Sequence, residues 1–214
     1  MPLLSVCIPT YNRKPFLKET LDSIIAQADK DMEIVANDNH STDGTEKMLE
    51  EYAKKYKFFR FSRFPENMGA DRNFLRVAEL AKGDFVWFFS SDDVMEPNAV
   101  RGLLKQIREN PEMDIFSLNR RIFTQDMKRT LVSGLASIHA KDEVFPSPES
   151  FLADDSRAVY TGYLPGLAVR KARWDAYAEK AREFVGTAYV HTYIFYCIMR
   201  DGGKVKALSE SYIQ

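Results

Sequence analysis

The sequence predicts an α/β fold, a mostly parallel central sheet with helices on both faces. Three observations carry that reading. Strand-like and helix-like segments alternate with short gaps through the first half of the 214-residue chain, the order expected of βαβ units. Asp84–Phe89 is a strand of nearly unbroken apolar residues, as required where both of its faces are covered. Polar clusters follow three of the strands, at the carboxyl ends where such sheets bind ligands.

The elements follow in order. Leu3–Ile8 is a compact apolar run that stops at Pro9. Pro15 can open a helix, and Phe16, Leu17, Leu21, Ile24 and Ile25 then recur at helical spacing. Met32–Ala36 is the second strand. Thr42 can cap a helix whose apolar positions include Met48, Leu49 and Tyr52. Phe58–Phe61 reads as the third strand. Asn73–Leu80 is helical with Phe74, Val77 and Leu80 inward, and Gly83 ends the connection to the fourth strand. Pro97 starts a helix that runs through Ile107, and Asp114–Leu118 is a further strand. Beyond Asn119 the pattern loosens. Short strands at Arg121–Thr124, Thr130–Ser133, Val159–Gly162 and Leu167–Arg170 are interleaved with helices near Ser147–Ala153 and Lys171–Glu183. A last helix, Ala188–Met199, is apolar on most sides, and Lys204–Leu208 is strand-like. The chain reads as one domain over 1–214, with about 1–118 forming the ligand-binding half and about 119–214 an α+β elaboration packed on it.

Composition excludes several classes. Apolar residues make up 45% and charged residues 29%, the balance of a globular protein and not of a disordered or fibrous one. Thirty basic against 31 acidic residues leave a net charge of −1, without the basic excess that phosphate neutralisation demands, so no nucleic-acid partner is expected. Cys7 and Cys197 cannot form a disulfide framework and suit a reducing compartment. The N-terminus lacks the basic flank and long apolar core of a signal peptide. The longest apolar runs fall far short of the roughly 18 residues of a membrane span, so any membrane contact is peripheral. The expected location is cytoplasmic, at most against the inner face of the membrane.

Ser91-Asp92-Asp93 carries the strongest chemical signal. Adjacent carboxylates at the end of an apolar strand repel each other, and desolvation raises the cost. A hard divalent cation with phosphate ligands would relieve it; the same pair could equally cap the helix near Pro97 or form a turn. Asp38 follows the second strand in the same manner and can accept a hydrogen bond from a base or ribose. Ser41-Thr42-Asp43 beside it reads as an Asx-turn and cap cluster. Asn67-Met68-Gly69 precedes a helix with Arg72 and Asn73, the glycine permitting an unusual turn and Arg72 able to reach a phosphate.

Four segments in this order, Ser5–Arg13, Glu33–Thr45, Asn67–Gly69 and Ser91–Asp93, resemble the family 2 nucleotide-sugar glycosyltransferases. Within these, the chain looks most like bacterial enzymes building O-antigen or capsular polysaccharide. The resemblance covers roughly residues 3–110. It implies a GT-A fold with a Rossmann-like nucleotide-binding half. The implied activity is transfer of a sugar, with inversion, from a nucleoside-diphosphate donor, usually UDP-linked, to a hydroxyl of a saccharide or lipid-linked saccharide. It further implies that Pro9, Tyr11 and Arg13 line the nucleotide pocket and Asp38 binds the base. Asn67 and Arg72 fall on the nucleotide side, Asp92 at the ribose, and Asp93 holds Mn²⁺ or Mg²⁺ on the diphosphate. Relatives often continue further, which implies a chain that can extend past residue 214.

The departures matter as much. His40 stands where the family commonly has Gly, and Ser90 and Ser91 where many members have another acid. The family's acceptor-activating acid precedes a late helix; Thr187 and Ala188 occupy those places here. His191, Asp155, Asp154 and Glu183 are the rival bases, His191 because its ordinary pKa of about 6.5 suits the task. Tyr160, Tyr163, Trp174, Tyr177, Tyr189, Tyr193, Phe195 and Tyr196 could stack on sugars or build core. The missing acid also leaves open a nucleotide- or sugar-binding protein without turnover. Asp43-Gly44-Thr45 suggests a phosphatase loop only weakly, since Ser41 replaces the required Asp. No GxGxxG follows the first strand, against a hydride-transferring enzyme.

Overall fold

A computed structural model describes residues 1–123, 130–132, 139–153 and 161–214. The alternating first half folds as β1 (Leu4–Thr10), α1 (Lys14–Ile25), β2 (Met32–Asp38), α2 (Thr45–Lys55), β3 (Phe59–Arg63), α3 (Ala70–Leu80), β4 (Phe85–Phe88), α4 (Ala99–Glu109) and β5 (Ile115–Arg120). Beyond it come β6 (Ile122–Phe123), β7 (Thr130–Val132), β8 (Glu143–Phe145), α5 (Pro148–Leu152), β9 (Leu167–Arg170), α6 (Lys171–Ala181), α7 (Val190–Arg200) and β10 (Val205–Ile213). The rest of the expected strand Val159–Gly162 lies outside the described residues, and Thr161 and Gly162 form a turn.

Eight strands form one sheet in the order β3-β2-β1-β4-β9-β5-β10-β8, and β6 and β7 form a separate ribbon. β1, β2, β3 and β4 run parallel, as do β5 and β10. β9 enters antiparallel between β4 and β5, its Val169 level with Val86 on one side and Ile115 on the other. β8 closes the edge antiparallel to β10. The second half of the chain therefore supplies three strands of the central sheet and is not merely laid against it.

Period-two alternation decides what each face buries. Leu4, Val6 and Ile8 of β1 meet Leu17, Leu21 and Ile24 of α1 and Leu103 and Ile107 of α4. Cys7, Val35 and Val86 face the other way, onto Leu75 of α3, Trp174 of α6 and Ile194 and Ile198 of α7. Trp87, fully buried, donates its indole N–H to the Pro165 carbonyl at 2.9 Å, tying the turn before β9 to the middle of the sheet. Trp174 and Phe195 belong to this core and are not free to stack on sugars.

Two helix starts differ from expectation. α2 begins after Gly44 at φ 88°, a left-handed conformation that glycine takes without strain. Asp43, not Thr42, accepts from the Thr45 N–H at 3.0 Å. α4 begins at Ala99, two residues beyond Pro97, with Asn98 in the left-handed region at φ 66°.

Candidate active site

β1 and β2 end level, Thr10 opposite Asp38, and the Asn39 N–H donates to the Thr10 carbonyl at 2.9 Å. The strand ends and the amino end of α3 enclose a cleft of about 340 Å³. β1 and its following loop contribute Pro9, Thr10, Tyr11 and Arg13; the loop after β2 contributes Asn39; the approach to α3 contributes Asn67 and Gly69. Ala70, Asn73 and Phe74 of α3 and Ser91 after β4 complete the lining. The three polar loops thus share one crevice.

The floor is a lattice of amides. Asn39 donates to the Asn67 side-chain oxygen at 2.8 Å and accepts from the Met68 N–H at 2.8 Å. Asn73 accepts from Asn37 at 2.8 Å and donates to the Thr10 carbonyl at 3.2 Å. Gly69, at φ 85°, lets the chain turn into α3 close to the cleft, where a side chain would be strained. His40 adopts φ 66°, the conformation a glycine there would favour, and its ring sits 3.3 Å from the Phe64 carbonyl.

Charge collects at the β4 end. Arg13 Nε lies 3.6 Å from Asp92 Oδ2 across the mouth of the cleft, and Ser90 donates to Asp92 Oδ1. Asp93 accepts from the Tyr163 hydroxyl at 2.7 Å, and the Arg120 guanidinium lies 3.9 Å from the centre of the Tyr163 ring. Burial, foremost, pushes the Asp93 carboxyl above the usual carboxylate range, and the neighbouring Asp92 charge adds to it. The Tyr163 bond and Arg120 offset part of that rise. Among the described residues no three His, Cys, Asp or Glu side chains gather to hold a metal ion. That set still fits a cation of the Mg²⁺ or Mn²⁺ type, which uses one or two carboxylates and takes its remaining ligands from phosphate and water.

Three expected site residues stand elsewhere. Asp38 is 0% exposed and does not line the cleft. Its oxygens accept from the Ser41 N–H at 3.1 and 3.2 Å and from the Ser41 hydroxyl, and Arg63 Nε lies 3.3 Å away. Asn39, one residue on, holds the cleft position. Arg72 lines a second groove on the other side of the 64–69 segment. His191 is 2% exposed, donates its Nε2–H to the Gly162 carbonyl at 3.1 Å, and packs its ring edge-on against Phe74. Burial lowers its pKa, and the Gly162 contact and Asp71 only partly restore it. A ring so enclosed presents no nitrogen to an acceptor hydroxyl. Asp154 and Asp155 lie outside the described residues.

Sequence reasoning missed Arg120 as a site residue and gave Tyr163 no role at the acid pair. A cation ending an otherwise buried strand was the available signal for Arg120. Asp71 was missed too. It is 3% exposed, and its Oδ2 accepts from the Gly186 N–H at 2.7 Å and the Ala188 N–H at 2.9 Å. It therefore holds the loop in which the acceptor-activating acid was expected.

The glycosyl transferase family 2 profile matches residues 5–161, most of the chain and all three loops of the cleft. The chain belongs to glycosyl transferase family 2. Among curated relatives, it is 36% identical over 213 residues to abequosyltransferase RfbV of Salmonella typhimurium, covering 94% of this chain and 62% of that protein. It is 31% identical over 112 residues to the GalNAc(5)-diNAcBac-PP-undecaprenol beta-1,3-glucosyltransferase of Campylobacter jejuni, 51% of this chain and 36% of that one. The fold matches S. aureus TarS 1-349 in complex with UDP at TM-score 0.74 and 24% identity, covering the whole of this chain and 60% of the other. It matches the mannosyltransferase PcManGT of Pyrobaculum calidifontis, in complex with GDP-Man and Mn²⁺, at TM-score 0.63 and 19% identity, over 98% and 55% of the two chains. This family 2 chain thus has the GT-A architecture and spans less than two thirds of these relatives. Among its described residues no helix is long and apolar enough to cross a membrane.

Proposed function

We propose that this family 2 chain transfers a sugar, with inversion, from a UDP-linked donor to a hydroxyl of a lipid-linked saccharide in bacterial surface polysaccharide synthesis. The observation that carries the reading is the junction of an amide-floored cleft with the Arg13–Asp92 pair and the half-buried Asp93. The relatives named for sugar transfer, one of them to a PP-undecaprenol-linked saccharide, support the class of acceptor.

In this reading Tyr11 and Pro9 flank the base and Asn39 and Asn67 offer amide groups to it. Asp92 takes the ribose hydroxyls. Asp93 holds the divalent cation, which when bound neutralises charge on the departing diphosphate. Arg13, at the mouth of the cleft, adds a second positive charge on that side. Tyr163 and Arg120 fix the Asp93 carboxylate. The base we assign is Asp155 in preference to the enclosed His191; a carboxylate there would take the proton from the acceptor hydroxyl as it attacks the anomeric carbon.

Melting in the presence of UDP and Mn²⁺ tests the donor site. The melting temperature rises in the parent and not in Asp93→Ala; no shift with any nucleoside diphosphate and metal would sink the proposal. Asp155→Asn tests the base, with kcat falling about 10²-fold or more while donor binding persists. A second reading, donor binding without turnover, is favoured by Thr187 and Ala188 in the acid's usual place. Donor binding with no transfer to any acceptor tried would select it.

A further inference from the structure

Behind the 64–69 segment lies the second groove, about 410 Å³, whose lining includes Arg63, Arg72, Arg76 and Arg182 against a single acid, Glu79. Arg63 is already spent on the buried Asp38 and on Glu46. Among the described residues Arg76 and Arg182 pair with exposed acids of their own helical turns, Glu79 at 3.1 Å and Glu179 at 2.9 Å, contacts worth little in water and readily exchanged. Arg72 is exposed and has no ion-pair or hydrogen-bond partner among the described residues. Phe64, Met68 and the buried Leu75 give the same groove an apolar wall. Guanidinium forks match phosphate oxygens two at a time. Three such forks beside apolar side chains fit an anion carried on a hydrocarbon body. The arginines converge in a concavity and are not spread along an outward face, which suits one discrete head group over the plane of an anionic bilayer.

We propose that this groove is a binding site for the diphosphate of a polyprenyl-diphosphate-linked saccharide. The proposal deepens the acceptor reading above and rests on it. It places the donor nucleotide and the acceptor's diphosphate on opposite sides of the 64–69 segment, whose Asn67 and Gly69 face the first cleft and whose Met68 faces the second.

Farnesyl diphosphate, a soluble stand-in for the lipid diphosphate, tests it by calorimetric titration of the intact chain with UDP in excess. Saturable binding is expected, about tenfold or more weaker in Arg72→Gln/Arg76→Gln, the scale of losing charge-assisted hydrogen bonds to a phosphate. The melting shift produced by UDP and Mn²⁺ stays unchanged in that variant. Absence of saturable binding, equal binding by the double variant, or displacement by UDP would overturn the proposal. So would loss of the UDP shift on Arg72→Gln, which would return Arg72 to the donor cleft. Flotation separates the sources of phosphate. Phosphatidylcholine vesicles doped with polyprenyl diphosphate should retain the parent more than vesicles with equal charge as phosphatidylglycerol. Equal retention would refute the discrete head group. Because the UDP shift is read separately, failure of the donor reading and failure of this one are distinguishable.

Discussion

Replacing Asp71 by alanine removes one buried carboxylate and the two N–H bonds, 2.7 and 2.9 Å, that it accepts from Gly186 and Ala188. Hydrogen bonds to a charged group are worth about 1.5–3 kcal/mol each, but not all of that is lost here. Gly186 and Ala188 are exposed, so their freed N–H groups can turn to water. Asp71 Oδ1 is buried without a partner among the described residues, so its removal also returns some desolvation cost. The net expectation is destabilisation by about 2 kcal/mol, below the sum of two bonds. At about 2–4 °C per kcal/mol for a chain of this length, the melting temperature falls by about 4–8 °C. Asp71→Asn keeps an oxygen acceptor without the charge and should lose about half as much. Hydrogen exchange supplies the local readout, since the Gly186 and Ala188 amides lose protection while those of β1 keep theirs. If Asp71→Ala melts with the parent and both amides exchange unchanged, Asp71 does not hold this loop.

Three further outcomes follow from individual side chains. The Asp93 pKa is raised in the folded chain, so its contribution to stability is full below the usual carboxylate pKa and is lost as pH rises through the folded value. Asp93→Asn should therefore melt above the parent at neutral pH and lose that advantage in acid; a lower neutral melting temperature would contradict this. His191 has a lowered pKa, so its contribution is present above the ordinary value of about 6.5 and is lost as pH falls below it. Denaturation of His191→Gln should show a flatter fall in stability between neutral and mildly acid pH, and an unchanged slope would refute the burial argument. Ala188 sits exposed at φ 66°. Ala188→Gly relieves left-handed strain of about 1–2 kcal/mol against a flexibility cost of about 0.5–1, for a net gain of about 0.5 kcal/mol, readable in urea denaturation.

The strand–helix alternation of the first half was legible because each element carries its own period and stop signal. Leu17, Leu21 and Ile24 mark one buried face of α1, and the all-apolar Phe85–Phe88 marks a strand covered on both sides. The place of β9 was not legible. Leu167–Arg170 was recognisable as a strand, but four residues contain nothing that selects β4 and β5 as neighbours. That choice is tertiary, made through contacts such as Trp87 with the Pro165 carbonyl, 78 positions apart. For the same reason Tyr163 could be counted among the aromatics and still not be connected to Asp93, 70 positions away.

The candidate site divides along a physical line as well. Pro9 near the end of β1, and Tyr11, Arg13 and Asn67 on loops beyond strand ends, face the cleft, because the end of a parallel strand fixes where its loop goes. Asp38 is still the last residue of β2, and its side chain turns inward to Ser41 and Arg63. On a helix, neighbours in sequence diverge by about 100° each. Consecutive positions of α3 accordingly serve three different surroundings. Asp71 reaches the Gly186–Ala188 loop, Arg72 the arginine groove and Asn73 the amide floor of the cleft. Reading Arg72 as able to reach a phosphate in the cleft put it on the same side as Asn73, which the helix separates from it. The same divergence links the two halves of the site. A carboxylate of α3, Asp71, anchors the Gly186–Ala188 loop, where the family resemblance implied an acid and the sequence has Thr187 and Ala188. The cleft residue Asn73 is therefore joined through two positions of α3, by way of Asp71, to the Gly186–Ala188 loop.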